Sequence, residues 1–113
     1  MLLDTNVIAE VRETLGDDMF RSFTTRMLAE VAETTASLHR LLGEGDLETL
    51  ARTAHRTSGS AAGIGARGLH ALLKEVENIA RTPTASTTLP ALLAQLPPRA
   101  EETRKAFDAL LSP

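Results

Sequence analysis

Residues 45–69 read GDLETLARTAHRTSGSAAGIGARGL, and this stretch decides the fold. Gly45 stops what precedes it. Asp46 is a helix N-cap, a carboxylate able to accept from the free N–H groups of a first turn. Leu47, Leu50, Ala54 and Ala61 then fall on one side of a helix over 46–62. Gly63-Ile64-Gly65 makes a tight corner, and a second helix over 66–80 carries Leu69, Leu72, Leu73, Val76 and Ile79 on its buried face. Two amphipathic helices joined by so short a connection pack antiparallel, and both need further helices to cover their apolar stripes.

Those partners lie on either side. Upstream, Asp4 caps a short helix over 5–15 that Gly16 ends, and a long helix follows over 17–42. Its stripe runs Phe20, Phe23, Met27, Val31, Thr34, Leu38, Leu41, and at 1.5 Å per residue it is roughly 40 Å long. Downstream, residues 82–88 read as a loop by composition, and 89–111 as a helix. Pro97-Pro98 interrupts that helix, because proline removes a backbone donor and clashes with the preceding turn; a kink or break is expected at 97–98. Only three residues are aromatic, and β-branched residues nowhere alternate over a strand length. The expected fold is all-α: one domain over 1–113, an antiparallel up-and-down four-helix bundle with the short N-terminal helix packed across one end.

Composition narrows the function. The apolar share of 42% and charged share of 24% are ordinary for a globular domain, and no apolar run reaches the roughly 20 residues of a membrane span. The N-terminus, MLLDTN, lacks the basic stretch and cleavage site of a secretory signal, so a cytoplasmic location is expected. A start methionine and a full bundle point to a stand-alone protein. Without cysteine, disulfides and thiolate metal sites are excluded. Net charge is −3, with four Arg against eight Asp and Glu over 1–45 and five basic against four acidic residues over 46–81. No basic stripe suggests nucleic acid, and the acidic surface gives no reason for self-association, so a monomer is expected.

The chemistry gathers at His55. At about 100° per residue it stands a quarter-turn from the buried stripe, on the shoulder between core and solvent. The positions three, four and seven away on that face are Ala51, Ser58, Gly59 and Ala62, all small. An imidazole among small residues can be approached closely by another protein, and in-line phosphoryl transfer needs such approach. A mid-helix glycine costs about 1 kcal/mol against alanine, so Gly59 suggests that the space is needed. Histidine suits the task, since its ordinary pKa near 6.5 leaves a neutral nucleophilic nitrogen at cellular pH. Spacing alone also admits a half-buried histidine without chemistry.

The quoted stretch resembles the histidine-containing phosphotransfer (HPt) family closely. The shared pattern is the Gly45-Asp46 cap, Ala54-His55, the small Gly59-Ser60-Ala61 step, Gly65 and Leu69, with Glu75–Glu77 similar to the acidic end of the next helix and 16–23 similar to the family's second helix. The resemblance implies that His55 accepts a phosphoryl group. The chain would then relay it between aspartates of receiver domains, from a hybrid histidine kinase to a response regulator, without an ATP-binding or kinase domain of its own. It implies no resident cofactor, with the divalent metal on the partner receiver. The family usually has lysine where Ser58 stands, so the cation facing the phosphoryl group is open: Arg52 and Arg56 share the helix, and Arg67 and Lys74 lie on the next one.

Arg52 follows Glu48 by four residues, which also suits a plain helix ion pair. His39 and His70 have no partners at a metal-ligand spacing, and no metal site is expected. A kinase dimerisation helix is excluded, since Arg56 and Ser60 stand where that family has an acidic residue and a proline. A helical adaptor that binds a receiver or kinase without transfer is the remaining alternative.

Overall fold

The computed structural model describes residues 1–112, and all their regular structure is helical. The order is α1 (Thr5–Leu15), α2 (Asp17–Glu44), α3 (Leu47–Gly63), α4 (Arg67–Ala80), α5 (Ala85–Ala94) and α6 (Leu96–Leu111). The molecule measures 46 × 21 × 20 Å, and its long dimension is that of α2, whose 28 residues rise about 42 Å. α3 packs most extensively on α4, then on α2; α6 joins α2 and α4 and closes the ring. No described helix is long and apolar enough to cross a membrane.

The apolar stripes meet in one core that includes Phe20, Val31, Leu38, Leu50, Leu69, Leu73, Leu93 and Phe107. Phe20 and Phe107 pack edge to face with centroids 5.7 Å apart, fastening α6 to the start of α2. Between α2 and α3 the buried hydroxyls of Thr34 and Thr57 bond each other at 2.7 Å, so neither is left unpaired.

Two expectations at the C-terminal end are corrected. The last helix starts at Ala85, not at 89, because Ala85 and Leu89 are buried and this packing overrides the loop-like composition of 82–88. The break falls at Gln95, not at 97–98. Pro97 and Pro98 sit in the first turn of α6, where backbone N–H groups have no intrahelical partner to lose. The expected single fourth helix is therefore α5 and α6 in series, joined by Gln95 in a right-handed helical conformation.

At the opposite end the chain start locks the α3–α4 corner. Gly65 has φ +81°, and a Cβ there would lie 2.6 Å from Cγ1 of Ile8. The Asp4 N–H donates to the Gly65 carbonyl at 2.8 Å and the Gly68 N–H to that of Leu2 at 3.0 Å. Only glycine combines that φ with so close an approach. α1 thus lies at this end of the bundle, against α2 and the corner.

Candidate functional site

The Asp46 side chain accepts from the Thr49 N–H at 3.2 Å and opens α3. The corner at 64–66 turns the chain back into α4, so the two helices run antiparallel with a continuous seam between them. Helical side chains lean toward the N-terminus. His55 on α3 therefore leans away from the corner, and Glu77 on α4 leans toward it. They meet across the seam, with Nδ1 of His55 3.0 Å from Oε1 of Glu77.

The two ends of this contact differ in environment. The His55 side chain is 64% exposed, whereas that of Glu77 is 7% exposed. A buried carboxylate needs partners, and Glu77 has three. Arg81 donates to Oε2 at 2.6 Å, and Lys74 to Oε1 at 3.0 Å beside His55. The Arg81 hydrogen bond, aided by those of Lys74 and His55, outweighs the cost of burial and lowers the Glu77 pKa from 4.5 to about 2. The ionised carboxylate can only accept, so the hydrogen of a neutral imidazole is assigned to Nδ1. The lone pair is then on Nε2, at the solvent side.

The surroundings of His55 divide by angle. Relative to His55, Ala51 and Ser58 lie roughly 40° and 60° round the helix toward the core, while Gly59 lies about 40° toward solvent. Ala51 and Ser58 are accordingly buried, at 0% and 2% exposure, which corrects the expectation that they ring an exposed imidazole. The Ser58 hydroxyl donates to the His55 carbonyl at 2.7 Å, pointing along the helix instead of out of it. Gly59 is exposed, and a Cβ added there would meet nothing within 4 Å. Ala62 is half-buried.

Neither arginine of α3 turns to His55. Arg52 donates to Glu48 and Thr49, back toward the N-cap. Arg56 faces α2, lining a groove with Glu30, Glu33 and Ser37. Arg67 reaches toward the sulfur of Met1 at the corner. His70 is half-buried and its Nδ1 contacts the Ser58 carbonyl at 2.9 Å, a structural tie across the seam. His39 is exposed. Among the described residues no group of three or more His, Asp or Glu is placed to hold a metal ion. Phe23 and Met27 line an open groove of about 480 Å³ with Val11, Leu15 and Ile64, while Phe20 is wholly in the core.

Sequence reasoning missed Glu77 as the partner of His55. The signal was present: Leu69, Leu73, Val76 and Ala80 are buried on α4, and Glu77 shares their face. A charged residue on such a stripe is rare unless paired. Lys74 and Arg81, three before and four after it, are the pairing residues.

A family model described as the Hpt domain matches residues 22–111. No curated protein sequence matches the chain. Among solved structures, the crystal structure of histidine-containing phosphotransfer protein B (HptB) from Pseudomonas aeruginosa PAO1 superposes with a TM-score of 0.81 at 29% sequence identity. That match covers 96% of this chain and 93% of the other. On these grounds the chain belongs to the Hpt domain family, the phosphoryl-carrying proteins of phosphorelays that work with receiver domains.

Proposed function

We propose that His55 is the phospho-accepting residue. It takes a phosphoryl group from the aspartyl phosphate of one receiver domain, that of a hybrid histidine kinase, and gives it to the aspartate of another, in a response regulator. The observation that carries this reading is the Nδ1 contact to a buried, ionised Glu77 on an imidazole that is otherwise in solvent. In the forward step the Nε2 lone pair attacks phosphorus. The new N–P bond forms as the aspartyl O–P bond breaks, and the aspartate leaves as a carboxylate. No proton leaves the ring, because Nδ1 keeps its hydrogen toward Glu77.

The product is a phospho-imidazolium whose positive charge lies against the Glu77 carboxylate. Glu77 does not take the proton, since its pKa of about 2 makes it too weak a base. The hydrogen therefore stays on Nδ1 rather than passing to the carboxylate, and a neutral imidazole is the leaving group when the next aspartate attacks. Glu77 acts as an orienting and charge-balancing residue in both directions. The open face at Gly59 is where a receiver approaches. The divalent metal that this chemistry uses is expected on the receiver. We read the chain as a cytoplasmic monomer that neither binds nor hydrolyses ATP.

The test is transfer of radiolabelled phosphate from a phosphorylated receiver, with phosphorus NMR to locate the bond. Wild type should carry label on Nε2 of His55, and His55→Gln should carry none while keeping its helical circular dichroism. Label on another residue, or on Nδ1, would overturn the assignment.

A further inference from the structure

We infer that Lys74 is the residue that binds the phosphoryl group on His55, swinging to it from Glu77 while Arg81 keeps the carboxylate paired. This rests on the reading of His55 as the phospho-accepting residue. The geometry is specific. Lys74 Nζ and His55 Nδ1 both lie 3.0 Å from the same oxygen, Oε1 of Glu77, so they are at most twice that distance apart. Arg81 holds the other oxygen, Oε2, at 2.6 Å. The Lys74 side chain is 38% exposed, on a flexible stem with three donors of which Glu77 engages one. It can turn outward past the imidazole without uncovering the carboxylate.

Charge supplies a second argument. Two cations surround one carboxylate, which leaves Lys74, Arg81 and Glu77 together with one positive charge in excess beside the imidazole. A phosphoryl group brings about −1.5 to −2 near neutral pH, and the imidazolium formed under it is balanced by Glu77. The excess cation is then matched to the incoming anion.

Elimination points the same way. Ser58 is buried with its hydroxyl bonded to the His55 carbonyl, Arg52 is turned to Glu48 and Thr49, and Arg56 faces the Glu30 and Glu33 side. Arg67 is at the corner against Met1. Lys74 is the cation placed at the His55–Glu77 contact and not needed elsewhere.

Phosphoramidate, a small phosphoryl donor, tests this on the full chain without any partner. Wild type, Lys74→Ala and Lys74→Arg are phosphorylated and followed by phosphorus NMR as pH is varied. An exposed charge contact changes rates by about fivefold, so Lys74→Ala should be labelled about fivefold more slowly. Its phosphoryl resonance should titrate at higher pH than in wild type, because the dianion has lost its cation. Lys74→Arg should restore both, which a merely structural lysine would not predict. If Lys74→Ala does not fold, Lys74→Met keeps the stem and takes its place. Equal rates and equal titration in wild type and variant, with label on His55, overturn the role of Lys74 and leave that of His55 standing. Absence of label on His55 in wild type overturns both.

Discussion

Glu77→Gln is the substitution that probes the site most directly, because it removes one charge and almost no volume. The folded-state pKa of Glu77 is lowered from 4.5 to about 2, chiefly by the Arg81 hydrogen bond. A lowered carboxylate pKa adds stability that is fully present above the unfolded value. That stability is lost as pH falls from about 4.5 toward 2. At 1.36 kcal/mol per unit the shift corresponds to about 3 kcal/mol. The partners are partly in water, at 38% exposure for Lys74 and 52% for Arg81, and solvent screening takes a share. About 2 kcal/mol at pH 7, or roughly 10 °C in melting temperature for a domain of this size, is the expected loss on substitution.

Urea unfolding of both proteins at several pH values between 7 and 2 is the assay. The stability difference should be largest at neutral pH, shrink below pH 4.5 and approach zero near pH 2. Curves that stay parallel through that window would refute the ionised, buried carboxylate. Transfer gives a second measure. An amide can donate to Nδ1, which places the ring hydrogen on Nε2 and occupies the nucleophilic nitrogen. A hydrogen bond to a charged group contributes about 1.5–3 kcal/mol, and the exposed ring puts this one at the low end, so phosphorylation should slow about tenfold.

Three further outcomes follow from the same geometry. His39→Gln and His70→Gln should both accept phosphate; His70→Gln should lose about 1 kcal/mol in urea unfolding for its tie to the Ser58 carbonyl, and loss of labelling in either places the acceptor wrongly. Gly59→Leu should block transfer from a receiver without lowering the melting temperature, since the added side chain points into open space and leucine is the better helix former; undiminished transfer would remove that face from the docking surface. Thr34→Val should cost about 1–2 kcal/mol by leaving the Thr57 hydroxyl buried without its partner, and adding Thr57→Val should recover most of it; a second loss of equal size would contradict the pairing.

The helical class and the long elements were legible because their apolar positions recur at three and four over many turns, as in Phe20 to Leu41 of α2. Where local composition and packing disagree, packing decided. Residues 85–88 read as a loop but are helical because Ala85 and Leu89 are buried. Proline at 97–98 looked like a breaker, and it is a helix opener because Gln95 ends the preceding turn. His55 stood out through its small neighbours, although two of them, Ala51 and Ser58, are small because they face into the bundle. A helical wheel resolves such a difference only when the centre of the buried face is known.

The His55–Glu77 pair was not legible by spacing, because it depends on how α4 slides along α3. One residue of slip moves a side chain by about 1.5 Å and 100°. The register is fixed elsewhere, by the Gly65 corner seated against Ile8 and by His70 tied to the Ser58 carbonyl. What the sequence does carry is the company Glu77 keeps. A buried carboxylate needs one good cation to offset its desolvation, and α4 supplies two, Lys74 and Arg81, one on each oxygen. The second is surplus to the folded chain at rest. Its value appears when a negative group is bound at Nε2 of His55, so the cation that looks redundant for stability is the one assigned to function.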